Sequence, residues 1–596
     1  MHVCVIGGGA SGLAAAKQLR EENIDVDVLE KRDNFGGLWY FDEKMSTVTD
    51  STTASTSKTF LQFSDFPMEK EVDYFPHHTV YLQYLNKYVE KHQLLPFIKF
   101  SHEVKQLQRI EGDKWEVTAE SGGETTTKVY DGVIVCSGLH HVPMIPEVES
   151  SDQFEGEIIH SSYLPKDPDY LKDKNVVVVG SGESGADLVH ELAGKSKNVY
   201  MSLRKGAIIT MSKAAESLPA DHGSYRAKVW LPRTYLHDLH HCCIMTVRDQ
   251  YSPFRMFYTL ASIIPLILML PFYPKVVGKE LLFILKGLFN PKNWIALFQK
   301  PQRHGNASGV ELAKACEELC AEPPKSEAEK EERFWKLREI FAWYSGGLHN
   351  NQPFTKSPWF FNDVIDKTVK IVPNIKQYLG GKKVKFDDGS ERDIDVVVLC
   401  TGFKSHLPYL QEKDLDGRDL YKNVFMPNQP NIAFMGFARP NIGAAPPVVE
   451  MQSRWITAVW TKRIGLPSQQ EMQRKVEADA EVYTMSRKHH AKRLTSLIDY
   501  HAYMEELAGQ VGCRPKFSKV IFNPKLLYTY LFAPLASYQY RLHGYGAKPE
   551  AAQAAMDRLP HVVPFRVVQG VILFFVMKPF FYVLGGLGIK KFRPII

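Results

Sequence analysis

Two glycine-rich segments, Gly7-Gly8-Gly9-Ala10-Ser11-Gly12 and Gly180-Ser181-Gly182-Glu183-Ser184-Gly185, each follow a short run of β-branched residues. A strand that ends in Gly-x-Gly-x-x-Gly and opens a helix is shaped to hold a dinucleotide. The first glycine permits the tight turn, the second lets the backbone approach the pyrophosphate, and the third lets helix and strand pack closely. The diphosphate then rests on the unsatisfied N–H groups and the positive dipole end of the helix. A single match also fits an ordinary turn. Two matches in strand-to-helix context imply two dinucleotides on one chain, one at Gly7, Gly8, Gly9, Ala10, Ser11 and Gly12, the other at Gly180, Gly182, Ser184, Gly185, Ala186 and Asp187.

The second strand of each unit separates the cofactors, because the residue about 20 positions past the glycines faces the adenosine ribose. In the first unit Val26-Asp27-Val28-Leu29 leads to Glu30, an acid that can accept both ribose hydroxyls and would repel a 2′-phosphate. This suits FAD. In the second, Val199-Tyr200-Met201-Ser202-Leu203 leads to Arg204 and Lys205, cations able to pair with a 2′-phosphate through charge-assisted hydrogen bonds. That suits NADPH, with the alternative that both are solvated strand-end charges.

At 596 residues the chain exceeds one ordinary core. Its net charge of +6 gives no reason to invoke nucleic acid and is compatible with an anionic membrane surface. The eight cysteines are scattered, several in apolar runs, and read as reduced, buried thiols facing the cytosol. The first fingerprint begins so near Met1 that no signal peptide is expected ahead of it.

Two further segments share a cadence, Asp131 to Gly138 and Asp395 to Gly402, each read as a buried strand ending in a glycine turn. The expected class is α/β, with two Rossmann-like dinucleotide-binding domains. The NADPH domain (166–207 and 340–375) is inserted into a discontinuous FAD domain (1–165 and 376–465), followed by a C-terminal helical region (466–560). A largely helical insertion (208–339) is assigned to membrane contact and substrate access. Within it, Met256 to Tyr273 carries no charge but is broken by Pro265 and Pro271, favouring a re-entrant or surface element over a span, with a buried core helix as the alternative. An apolar membrane anchor is expected at 561–596, where Val567 to Ile589 is interrupted by Gln569 and Lys578 and followed by Lys590, Lys591 and Arg593. A span, a hairpin and a kinked interfacial anchor all remain open.

Several patterns carry no functional assignment. His237 to Cys243 mixes imidazoles and thiols at a spacing foreign to common zinc sites, so no metal is assigned. Cys316 and Cys320 fit one helix face turned to a core, Asn306-Ala307-Ser308 would have to face a lumen to be glycosylated, and Lys325 to Arg333 reads as a solvated helix face.

Gly36-Gly37-Leu38-Trp39 and Phe154-x-Gly156-x-x-x-His160-Ser161, together with Cys136-Ser137-Gly138, Phe361-Asn362-Asp363, Cys400-Thr401-Gly402-Phe403 and the stretch Gly443 to Trp455, resemble the flavin-containing monooxygenases, in particular the microsomal, dimethylaniline-oxidising kind. The resemblance covers nearly everything outside about 208 to 340. It implies that NADPH reduces FAD, that oxygen adds to the reduced flavin as a C4a-hydroperoxide, and that small lipophilic amines or thioethers take the distal oxygen. It places Gly37, Leu38, Trp39, Ser55 and Thr56 along the flavin, implies a cytosol-facing site on the endoplasmic reticulum membrane, and leaves open whether the chain is a dimer.

Three departures from the family pattern stand out. Ser55 falls where the family usually carries an asparagine, if Lys58 and Phe63-Ser64-Asp65-Phe66-Pro67 set the register. A serine loses the amide's reach and second donor, so Ser55 becomes the candidate catalytic position and the point where oxygenation could fail. The signature's terminal aromatic is displaced, with Tyr163 preceding Leu164 at the expected position, which perturbs a linker and not the chemistry. The insertion is also longer than in the animal pattern. The rival readings are an uncoupled NADPH oxidase releasing hydrogen peroxide, a Baeyer–Villiger monooxygenase, and a catalytically silent flavoprotein.

Overall fold

The computed structural model describes residues 1–210, 219–223, 308–345, 355–411, 415, 417–486 and 497–559. Two parallel sheets organise it. The first has the order Phe425–Met426, Gln429–Phe434, Gly132–Val135, His2–Ile6, Asp25–Leu29, Ile98–Lys99, parallel except at its Phe425 edge. The second, parallel throughout, has the order Val369–Pro373, Asn198–Leu203, Asn175–Val179, Val396–Leu399, Glu157–His160.

The two ladders repeat each other residue for residue at their centres. Each fingerprint strand lies between the strand that leads to Glu30 or to Arg204 and the strand that leads to a buried cysteine. Asp131 accepts the backbone N–H of His2 at 2.8 Å, and Asp395 accepts that of Asn175 at 2.9 Å. A carboxylate thus satisfies the first donor of each central strand. The shared cadence of Asp131–Gly138 and Asp395–Gly402 therefore has one structural meaning, a fully buried strand closed by a glycine at φ +77° and +83° respectively.

The sheets divide the chain differently from boundaries drawn at 165 and 376. Val396–Leu399 and Glu157–His160, both on the FAD side of those boundaries, are hydrogen-bonded strands of the second sheet. Val396–Leu399 follows a three-stranded meander, Ile375–Tyr378, Lys383–Phe386 and Glu391–Asp393, whose buried side chains share a core with Val177 and Val397. A run of four apolar residues fits either sheet, and only its long-range pairing decides.

Helices Gly309–Leu319 and Glu327–Trp343 belong to the same body. Leu312, Cys316, Cys320, Leu337 and Phe341 are buried with Val176, Val178 and Val369, so the two cysteines do face a core. Lys325 to Arg333 is a largely solvated face, with Arg333 the exception, turned inward onto the Glu322 carbonyl and Glu329. Six cysteines, Cys4, Cys136, Cys316, Cys320, Cys400 and Cys513, are buried and free. Residues 256–273, 561–596, Asn306 and His237 to Cys243 lie outside the described residues. Among the described residues no helix is long and apolar enough to cross a membrane.

The C-terminal part closes over the first sheet. Helix Ala445–Trp460, buried along nearly its whole length, packs on the first fingerprint helix Ala10–Glu21 and on Tyr500–Val511. At this seam lies a buried ion cluster. Arg541 donates from Nε to Ser64 Oγ at 2.7 Å, from Nη1 to the Gly546 carbonyl at 2.8 Å, and from Nη2 to Asp65 at 3.4 Å and to Glu450. Asp65 also pairs with Lys17 and with Lys548.

Candidate functional site

The first cradle turns on two glycines, Gly7 and Gly12, where any side chain would collide with backbone. A Cβ on Gly12 would sit 1.9 Å from the Gly7 carbonyl oxygen, and Gly7 itself holds φ +104° with the Cys136 carbonyl 2.7 Å from where its Cβ would be. The helix that follows begins at Gly9 with no side-chain cap, leaving its first-turn N–H groups available to an anion. Glu30, 5% exposed, accepts the Gly8 N–H at 2.5 Å and the Arg32 N–H at 2.9 Å, so its carboxylate lies against the fingerprint. Gly37, at φ +56°, packs its backbone on Gly9, and the turn is held by Arg32 Nη1 on the Gly37 carbonyl at 2.9 Å. Leu38 is 44% exposed, and the Trp39 ring leans on Tyr81 at 4.5 Å. Ala10 and Ser11 are half-buried at the helix start. The close-packed glycines, the uncapped helix and the recessed carboxylate fit an adenine dinucleotide.

The second cradle reproduces the first. Gly180 holds φ +120° against the Cys400 carbonyl, a Cβ on Gly185 would meet the Gly180 oxygen at 2.2 Å, and a Cβ on Gly182 would point into open space. Helix Glu183–Leu192 likewise starts without a side-chain cap. Ser184 is exposed, whereas Ala186 is fully buried and faces the core. Arg204 is exposed just past the end of its strand and Lys205 is half-buried. Gly309, at the start of the Gly309–Leu319 helix, packs so closely on Leu203 and Arg204 that its Cβ would lie 1.9 Å from the Leu203 oxygen. These features fit a second dinucleotide with a cationic end.

The strap Thr355-Lys356-Ser357 fastens along the first turn of the second cradle helix. Thr355 Oγ1 donates to the Ser181 carbonyl at 2.7 Å, the Lys356 N–H to both Glu183 carboxylate oxygens at 3.1 and 3.0 Å, and Ser357 Oγ to Asp187. Burial pushes the Glu183 carboxyl up to about 7 against the lowering influence of Lys356, with Asp187 adding to the rise. Burial also raises Asp187, which the Ser357 hydrogen bond lowers. Arg439 is exposed and lies close enough to Glu183 for their charges to interact.

Between the cradles lies the loop that carries Ser55. Ser55 is exposed and Thr56 buried, with Thr56 Oγ1 donating to the Gly443 carbonyl at 3.1 Å and accepting from Lys356 Nζ at 3.3 Å. Thr56 thus ties the Ala445–Trp460 helix start to the strap over the second cradle. No fingerprint announces Lys356, Arg439 or Glu183, whose roles depend on contacts across long stretches of chain. A carboxyl inside a phosphate-binding turn is the one sequence signal that could have flagged Glu183.

The Phe154 to Ser161 segment is a structural joint. Phe154 packs on Tyr378 at 4.8 Å, and a Cβ on Gly156 would lie 2.8 Å from the Asp395 carbonyl. His160 donates from Nε2 to the Gly402 carbonyl at 3.0 Å, which fixes Nδ1 as the acceptor for Ser162. Burial lowers its imidazole, which stays neutral. Leu164 fills the second core while Tyr163 is 44% exposed, so the displaced aromatic lies outside that core.

Compared with known proteins, the chain matches the sequence model of the family described as flavin-binding monooxygenase-like over residues 1–231 and 336–584. It is 30% identical to flavin-containing monooxygenase 5 of Homo sapiens, over 95% of this chain and 94% of that protein. It is 29% identical to 4-hydroxybenzoate brominase (decarboxylating) of Marinomonas mediterranea, over 94% of this chain and 93% of that protein. Among solved structures, S-allyl-L-cysteine S-oxygenase from Allium sativum superposes with a TM-score of 0.53 at 20% identity, covering 86% of this chain and 88% of that one. An ε-caprolactone-bound cyclohexanone monooxygenase gives 0.55 at 18%, covering 85% and 98%.

Proposed function

We propose, from the premise that the chain belongs to the flavin-binding monooxygenase-like family, that it transfers one oxygen atom of O2 to small lipophilic amines and thioethers. It is an FAD- and NADPH-dependent monooxygenase. The observation that carries the substrate reading is the Ser55 loop, exposed at Ser55 and tied through Thr56 both to the Gly443 carbonyl and to Lys356 of the strap over the second cradle. That setting suits soft nucleophiles that need only an activated oxygen and a dry, shaped site.

FAD, when bound, supplies the oxygen-activating chemistry and NADPH the hydride. The residues of the chain hold, orient and shield. The Gly7–Gly12 turn and the Ala10–Glu21 helix start take the FAD pyrophosphate, and Glu30 takes its ribose. The Gly180–Gly185 turn does the same for NADPH, with Arg204 and Lys205 pairing the 2′-phosphate. Ser55 offers one hydroxyl donor to the reacting face, and Thr56, bonded to both Gly443 and Lys356, fixes its loop. A second reading, a leaky enzyme that releases part of its oxygen as hydrogen peroxide, is favoured by the exposure of Ser55. One assay separates them: NADPH loss, peroxide and oxygenated product are followed together with a tertiary amine, a thioether and a ketone. Product matching NADPH with the amine or thioether supports oxygenation of soft nucleophiles; peroxide matching NADPH with every substrate refutes it, and ester from the ketone alone transfers the reading to Baeyer–Villiger chemistry.

The chain is further proposed to sit on the cytosolic face of the endoplasmic reticulum membrane through its apolar C-terminus. Phe522, 91% exposed, with Phe517 and Ile521 also exposed and Lys516, Lys519 and Lys525 around them, forms an apolar patch with a basic rim. The patch continues into a cluster that includes Leu559, where the described chain meets the apolar tail. That combination suits an anionic interface.

A further inference from the structure

The second cradle holds an acid where its cofactor brings negative charge. Glu183 is the first residue of the helix whose N–H groups face the pyrophosphate, and Asp187 stands one turn on. The first cradle has alanine and serine at the corresponding helix start. The Glu183 carboxylate is not free to swing away, since both of its oxygens accept the Lys356 N–H, and the strap that carries Lys356 is fastened on either side to Ser181 and Asp187.

We propose that NADP(H) enters this cradle with Glu183 protonated, so that cofactor binding takes up one proton and weakens as the pH rises. The inference rests on the assignment of NADPH to the second cradle. A diphosphate laid on the first turn and an ionised carboxylate fixed beside it, half-buried and held by the strap, repel each other at close range. Neutralising the acid is eased here, because desolvation of the half-buried Glu183 already raises its carboxyl to about 7. The charged groups facing it are Lys356 from the strap, Asp187 from its own helix and Arg439 from the segment beyond the first sheet. Lys356 and Arg439 favour the ionised form and Asp187 opposes it, and the Lys356 ammonium is directed to Thr56. His190 and Glu191 lie further along the helix, with His190 paired to Asp363. The sign follows from linkage: a ligand that prefers the protonated acid binds most tightly below the free protein's value and loses up to tenfold per pH unit above it.

The test is equilibrium titration of the FAD-loaded full-length protein with NADP+, by calorimetry, at about pH 6.5, 7.5 and 8.5, for wild type, Glu183→Gln and Gly185→Ala. The 2′-phosphate titrates near pH 6 itself, so Glu183→Gln reports the slope due to the ligand alone. Wild-type Kd should rise about tenfold more than that of Glu183→Gln across this range. At about pH 8, binding heats in buffers of different ionisation enthalpy should show uptake of close to one proton by wild type and much less by Glu183→Gln. Parallel pH profiles, or equal proton uptake, overturn the proposal even if Gly185→Ala abolishes binding. Undiminished binding to Gly185→Ala overturns the cradle assignment and the proposal with it.

Discussion

Replacing Arg541 by methionine tests whether the C-terminal segment completes the domain built on the first sheet. Its guanidinium side chain is 1% exposed, Asp65 0% and Glu450 6%. Methionine keeps much of the volume but leaves Glu450 buried with only the Ser64 N–H, at 2.7 Å, and the Ser64 hydroxyl. Asp65 fares better, since Lys17 and Lys548 stay. Removing one partner of a buried ion pair costs about 3–5 kcal/mol, because the other charge is left uncompensated. In a body of 150–250 residues each kcal/mol lowers the midpoint by about 2–4 °C, so flavin release on heating should move down by roughly 10 °C. The assay is flavin fluorescence during a thermal ramp of the purified holoprotein. Burial alone would raise the Asp65 carboxyl, but Lys17 and Arg541 outweigh it and hold it well below the ordinary carboxylate range. A depressed carboxyl gives stability that is present above the unfolded value and is lost only as the pH falls through the folded one. The Asp65 share of the penalty should therefore be the same at about pH 6 and pH 8, both above the ordinary carboxylate value. Adding Glu450→Gln removes the stranded charge and should restore more than half of the loss. A shift below about 3 °C, or a double variant as unstable as the sum of its parts, refutes the account.

Three other outcomes follow. Gly12→Ala forces a methyl onto the Gly7 carbonyl and should yield colourless protein, while Gly185→Ala, the same clash in the second cradle, should stay yellow but fail to bleach with NADPH. Arg204→Ala removes a charge-assisted contact worth about 1.5–3 kcal/mol, so KM for NADPH should rise roughly tenfold or more with that for NADH unchanged; equal changes for both would remove Arg204 from the phosphate site. Ser55→Asn restores an amide's second donor and should lower the ratio of peroxide formed to NADPH consumed in steady-state assays; an unchanged ratio would mean that residue 55 does not face the reacting centre.

Both nucleotide units were legible because each is a local device. Strand, glycine turn, helix and ribose-facing residue follow one another within a short stretch, and Gly7, Gly12, Gly180 and Gly185 stand where any side chain would collide with backbone. What crosses long stretches of chain was not legible. Val396–Leu399 is apolar enough for either sheet, and the 396–399 register with Val176–Val179 settles the matter. The helices Gly309–Leu319 and Glu327–Trp343 carry ordinary amphipathic or charged patterns, and nothing local says that their apolar sides cover the second sheet. Glu183 finds its partner 173 residues away, on the strap from Thr355 to Ser357, and no local pattern announces that contact.

The buried cluster at the seam also fixes an order of assembly. Arg541 meets Ser64 across 477 residues and Asp65 across 476. During synthesis the amino-terminal sheet can form early, as domains generally do, with Asp65 already paired to Lys17, but Ser64 and the later-made Glu450 wait for the Arg541 guanidinium. The domain started first is therefore the last to be finished. A chain stopped short of Arg541 leaves Glu450 buried without its counter-charge, so truncated products should be degraded, whatever happens to the tail that follows.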